Sequence, residues 1–214
     1  QLPQIMRRLI LALAFPAAAV AQGPDAREGI ASSVDAKFAR YTAIADSIWT
    51  LAEVGYQETQ STALLQKTLR DAGFTVRSGV ADIPTAFVAE YRCGTGAPVI
   101  GILAEFDALP GLSQHVTHAR SPIPGQDAGH ACGHHLFGTG SVAAAIAVKE
   151  WLQSNNRPGT IRVYGTPAEE GGGGKIYMVR AGLFRDADVV LDWHAGSANS
   201  ASPGPSLANK SGKF

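Results

Sequence analysis

The segment Gly129-His130-Ala131-Cys132-Gly133-His134-His135 places three imidazoles and one of the chain's two thiols within seven residues. A soft thiolate beside an imidazole is a donor set that zinc and related divalent ions favour. Cys132 and His134 are two apart, so in extended backbone both side chains would point to one side. An apolar helical run follows at once, and the partial positive charge at its N-terminus would favour an ionised Cys132. The spacing alone also suits a buried structural cysteine beside a few histidines. Three further places bring acids and another imidazole: Glu105-Phe106-Asp107, the pair Glu169-Glu170 ahead of four glycines, and His194. Carboxylates of this kind can ligate a metal, move a proton, or simply lie in a solvated loop.

The elements that must position these groups alternate between two periods. Apolar residues recur at helical spacing from Ser33 to about Val54, with Ser32 or Ser33 as N-cap and Gly55 as the stop. A second helix is expected from Ser61 to Ala72, ending at Gly73. Short strands are expected at Phe74-Thr75-Val76 and from Thr85 to Tyr91. The near-continuous apolar run from Pro98 to Ala104 reads as a strand covered on both faces. Residues 111–128 show no periodicity and form a long loop. The spacing then predicts a buried helix from Leu136 to Gln153, a strand from Thr160 to Gly165, a helix from about Lys175 to Ala181, and a strand from Asp188 that ends in His194. This order predicts an α/β fold with a three-layer, predominantly parallel sheet and helices on both faces. In such a sheet the strand ends share one edge. Asp107, Glu169, Glu170 and His194 can then converge there with Cys132 and His134.

The chain has 214 residues, 45% hydrophobic and 17% charged, with formal net charge zero. That is enough for a domain with a real core, and no basic run suggests a nucleic-acid partner. Residues 1–21 read as a secretory signal peptide: Met6-Arg7-Arg8 opens a positive region, Leu9 to Val20 is apolar, and Ala19-Val20-Ala21 is a small-x-small cleavage signal. Met6 is then the expected start, and the product is exported to the periplasm or beyond. The apolar stretch is too short to span a bilayer, and no cysteine follows it, so no membrane anchor is expected. Without Arg7 and Arg8 there remain 16 basic against 18 acidic residues. Export leaves open a disulfide between Cys93 and Cys132, which would take the thiolate out of the histidine cluster.

Four phrases carry a resemblance: Leu103-Ala104-Glu105-Phe106-Asp107-Ala108-Leu109-Pro110, Gly129-His130-Ala131-Cys132-Gly133-His134, Pro167-Ala168-Glu169-Glu170-Gly171-Gly172, and the histidine 24 positions after the second glutamate. From about Tyr41 to His194 the chain resembles the aminoacylase and carboxypeptidase G family of dinuclear metallohydrolases. The likeness is to the amidohydrolase branch with the indole-acetyl-amino-acid hydrolases, and within it to the aminobenzoyl-glutamate utilisation protein B group. The resemblance implies two divalent ions, Zn or Mn, bridged by Cys132. His134 and His194 would complete one metal and Glu170 would join the other. Glu169 would be the general base and Asp107 a second carboxylate orienting an imidazole. It further implies hydrolysis of the amide bond of a small-molecule N-acyl amino acid or aminobenzoyl-glutamate-like substrate. The protein would work as a homodimer or paired with a homologous subunit.

Two features depart from that pattern. Many members of the branch carry Asp after Cys-Gly-His, where this chain has His135. His115, His118 and His130 are left without a role. By the resemblance, residues 22–194 are the N-terminal part of the catalytic domain, and residues 195–214 lead into a lid or dimerisation domain. A final histidine ligand would come after that domain. Two rival readings stay beside this one. A cysteine hydrolase would use Cys132 as nucleophile and His194 as base, but leaves Glu169 and Glu170 unexplained. A fragment or subunit lacking the last ligand would bind metal without turnover.

Overall fold

The computed structural model describes residues 26–198. The expected leader over residues 1–21 and most of the linker over residues 195–214 lie outside them. Five strands form one mixed sheet in the order β1-β2-β4-β3-β5. These are β1 (Thr75–Ser78), β2 (Phe87–Cys93), β3 (Val99–Ala104), β4 (Gly159–Gly165) and β5 (Val189–Leu191). The half that carries the chemistry is parallel, β4 to β3 and β3 to β5, while β1 and β2 pair antiparallel to each other and β2 antiparallel to β4.

Alternation along the strands builds a core on each face. Phe87, Ala89, Ile161, Val163, Ile102 and Ala104 point to one side. There they meet α2 (Phe38–Leu51), α3 (Thr59–Asp71) and α4 (His134–Ser154). Val88 and Tyr164 point to the other, against Met178 of α5 (Gly174–Arg180) and Ile83. On that second face Arg162 is 7% exposed and is held between Glu90 at 2.5 Å and Asp186 at 2.7 Å. Both charged partners are in place, so its burial is compensated.

The single helix expected from Ser33 is two. α1 (Ala26–Asp35) ends before a turn at Ala36–Lys37, and α2 begins at Phe38. Ser33 therefore caps nothing. Its hydroxyl donates to Glu150 Oε2 at 2.6 Å, and Lys37 Nζ donates to the same oxygen at 2.8 Å. The break lets both groups reach α4. α4 starts at His134, two residues earlier than expected. The strand expected from Asp188 to His194 shortens to β5, whose three residues are all exposed. Leu109 and Gly129 exchange both backbone bonds at 3.0 Å and close the loop between them. The Gln114 amide ties that loop internally, accepting from Ser121 N and donating to Ala119 O.

Gly165, at the end of β4, lies opposite Phe87. A Cβ there would fall 2.0 Å from Phe87 Cε1, and Phe87 is fully buried and stacked on Phe106. Gly165→Ala is expected to destabilise the fold by about 1–3 kcal/mol through overpacking. A denaturant midpoint unchanged from the parent would show that Phe87 can move aside at no cost.

Candidate metal centre

β3, β4 and β5 run in one direction, so the segments after Ala104, Gly165 and Leu191 leave the same edge of the sheet. α4 starts there too. Three elements aim His134. As the first residue of α4 it is fully buried. Its Nδ1–H donates to Asp107 Oδ1 at 2.9 Å, with the Asp107 carbonyl at 3.1 Å. Asp107 Oδ2 accepts the Glu170 backbone N–H at 2.9 Å. One buried carboxylate thus fixes both an imidazole tautomer and the start of the acidic segment.

His194 is placed by its neighbour. The Trp193 indole donates to Ser141 Oγ at 3.0 Å, and Ser141 Oγ donates to the Leu103 carbonyl at 2.6 Å. Gly140 makes room for this indole, since a Cβ there would be 2.8 Å from Trp193 Cζ2. His194 Nδ1 donates to its own neighbour's carbonyl, Ala195 O, at 2.9 Å, leaving Nε2 at 3.3 Å from Cys132 Sγ. Both imidazoles therefore turn Nε2 inward.

Cys132, His134 and His194 bring one donor atom each within 4.8 Å of one another, and so do Glu105, His134 and Glu169. Glu170 Oε1 is 3.8 Å from His134 Nε2. Asp107, Cys132, His134, Glu169, Glu170 and His194 are therefore brought together. Glu105, which had no separate role assigned from its position in the chain, joins them. Its Oε2 is 2.9 Å from His134 Nε2, and its other oxygen is bonded to Lys175 Nζ. The signal for it was its i, i+2 spacing from Asp107, broken by the strand end just before them.

His130 goes elsewhere. Its Nε2 donates to the Ile48 carbonyl at 3.0 Å, and its ring lies 5.1 Å from that of His135, which packs on Trp49. These two imidazoles knit α2 to the loop before α4 and to the start of α4. Burial, reinforced by His135, pushes the His130 pKa down to about 4. His115 and His118 are exposed in the loop. Cys93 and Cys132 are both free thiols.

Two expectations about Cys132 are corrected. Cys132 and His134 are not in extended backbone, because Gly133 is left-handed (φ 85°) and His134 already helical. Their convergence comes from this turn rather than from strand alternation. Nor does the helix N-terminus ionise the thiol. Burial and the charges of Glu170, Glu169 and Glu105 push the Cys132 pKa up to about 11. Burial disfavours a charged His134, yet Asp107 and Glu105 prevail and raise its pKa to about 10. Burial also raises the Glu170 carboxyl. An incoming cation would displace the protons of Cys132 and His134, so binding is linked to proton release.

The donors fit a divalent cation. Glu170 Oε1 is buried without a hydrogen-bond partner and faces His134 Nε2 at 3.8 Å, while Glu105 Oε2 lies 2.9 Å from the same nitrogen. Orphaned buried polar atoms are costly unless a ligand satisfies them. Thiol, imidazole and carboxylate together match the zinc and manganese range of ligand chemistry.

The family model described as peptidase family M20/M25/M40 matches residues 101–206. The chain is 50% identical over 167 residues to one of the subunits of the p-aminobenzoyl-glutamate hydrolase of Escherichia coli (strain K12), covering 77% of this chain and 34% of that one. It is 34% identical over 182 residues to the Xaa-Arg dipeptidase of Mus musculus, covering 80% and 38%. A solved Bacillus subtilis protein, described as a dinuclear metal binding peptidase from the M20 family, superposes with a TM-score of 0.56 at 26% identity. That match covers 74% of this chain and 44% of the other. The chain spans about a third of the length of the curated relatives it matches.

Proposed function

From the premise that the chain belongs to peptidase family M20/M25/M40, we propose that it carries most of the metal centre of a metal-dependent amidohydrolase. The reaction is hydrolysis of the amide bond of N-acyl amino acids or aminobenzoyl-glutamate-like substrates. One observation carries this reading: His134 Nε2 faces three carboxylates, with Glu105 at 2.9 Å and the buried, unpartnered Glu170 Oε1 at 3.8 Å, beside Cys132, His194 and Glu169.

Cys132, His134, His194 and Glu170 would hold the cations, the two imidazoles through Nε2 and Glu170 through its inward carboxylate. Two divalent cations there, Zn or Mn, would lower the pKa of a shared water and polarise the scissile carbonyl. Asp107 keeps His134 in the tautomer with Nε2 free. Glu169 takes the water's proton on a carboxylate oxygen and returns it to the leaving amine nitrogen. Its adjacency to Glu170 suits the division of labour, because the Glu170 N–H is anchored to Asp107 and its buried oxygen points inward.

The Escherichia coli relative is by its name one subunit of a hydrolase, which favours a homologous second subunit as partner. Turnover of N-acyl amino acids by the full-length protein is expected to vanish with a chelator and return with added Zn or Mn. Iodoacetamide resistance of the metal-loaded form would separate this from cysteine-nucleophile catalysis. Activity that survives exhaustive chelation would end the metallohydrolase reading.

A further inference from the structure

We propose that Glu58 is a positioning residue that holds the turn presenting Glu169 and Glu170. The proposal rests on the metallohydrolase reading only for what those two acids do. Glu58 stands at the start of α3, 110 residues before Ala168, and is fully buried. Its Oε1 accepts the Ala168 backbone N–H at 2.8 Å.

Ala168 needs such a hold. Its φ of 56° is left-handed, a conformation that is strained for a residue with a Cβ and persists only where the surroundings over-determine it. Here they do. The Ala168 carbonyl accepts from Gly172 N at 3.0 Å and Gly173 N at 2.7 Å. Its methyl group is flanked by Gly55 and Gly172, where an added Cβ would come within 2.9 and 2.8 Å of it. The Glu170 N–H, two residues on, goes to Asp107. Two buried carboxylates from distant elements therefore grip alternate amides of one turn, and Glu169 projects from between them.

Burial raises the Glu58 pKa, with the Asp107 charge adding to it and the Ala168 bond opposing. Glu58 Oε2 has no partner of its own. A carboxyl at so dry a site is expensive, and the bond to Ala168, with the Thr85 hydroxyl, offsets part of that cost. The side chain acts through the backbone of Ala168, so its effect is on the aim of the next two acids.

The test uses the full-length, metal-loaded protein, with Glu58→Gln and Glu58→Met compared to the parent. Gln still offers a carbonyl oxygen to Ala168, whereas Met fills the space without an acceptor. In Glu58→Met, kcat is expected to fall on the order of 100-fold with KM little changed, as misplacement of a catalytic group would give. Hydrogen exchange over residues 166–173 should speed up in the same variant, and the visible spectrum of the Co(II)-substituted protein should shift. Glu58→Gln should restore all three.

A folded Glu58→Met with parental exchange over residues 166–173 and parental kcat would overturn the proposal. So would a Gln variant as impaired as Met, which would assign the effect to charge. If Met prevents folding, Gly55→Ala pushes Ala168 from its other side and should lower kcat likewise; a parental kcat there would also overturn it. Failure of the metallohydrolase reading would show separately, as a parent protein without metal-dependent turnover. The exchange comparison still reads the hold on the turn in that case.

Discussion

Glu169→Gln in the full-length protein is expected to keep its metal and lose on the order of 100- to 10,000-fold in turnover. Glu170→Gln is expected instead to lose metal. The two acids are neighbours, so charge and composition change identically in the two variants, and only geometry separates them. The Glu170 backbone is tied to Asp107, and its Oε1 is buried and unpartnered at 3.8 Å from His134 Nε2. Replacing that carboxylate removes an anionic donor from the place where a cation would satisfy it. A Gln at 169 has no basic oxygen to take a proton, yet leaves the anchors of the turn untouched. Metal content by mass spectrometry, alongside rates on N-acyl amino acids, reads both arms. Equal metal loss in the two variants would defeat the division of roles. The reverse pattern would place Glu169, which shares donor range with Glu105 and His134, on the metal.

Asp107→Ala is expected to weaken metal binding by roughly 10–100-fold, the usual cost of losing the outer partner of a ligating histidine. Two anchors go at once, because Oδ1 orients His134 and Oδ2 holds the Glu170 N–H. Asp107 is 1% exposed, so water does not readily replace it, and both donors are left buried and unsatisfied. Asp107→Asn should fall nearer to Ala than to the parent. Its amide can accept one of the two bonds but turns an NH2 group toward the other donor. Competition with a chromophoric chelator measures the affinity directly. Parental affinity in Asp107→Ala would remove Asp107 from the orienting role.

Much of the site could be read along the chain because each part of it is local. The run from Val99 to Ala104 announces a strand, the acids directly follow its end, and the helical period after Leu136 marks the element that His134 opens. Periodicity is a short-range property, set by which faces must be buried, and it survives in one dimension. The α/β alternation then implies that strand ends share an edge, and the β3–β4–β5 register bears that out. The donor types, thiol with imidazole and carboxylate, are likewise written in the residues themselves.

Relations between segments far apart in sequence came only with folding. Helical period cannot show that α1 and α2 part before Phe38, where Ser33 and Lys37 turn to Glu150, more than a hundred residues away. Nor can spacing show that Glu105 is turned to His134 by Lys175, or that Glu58 reaches Ala168. The Cys132 thiol carries the same lesson in electrostatics. Its sequence neighbours promise a helix N-terminus that would favour the thiolate, but burial beside three carboxylates from two other strand ends raises its pKa instead. A Coulomb interaction depends on distance in space and on exclusion of water, and neither is defined until the chain has folded.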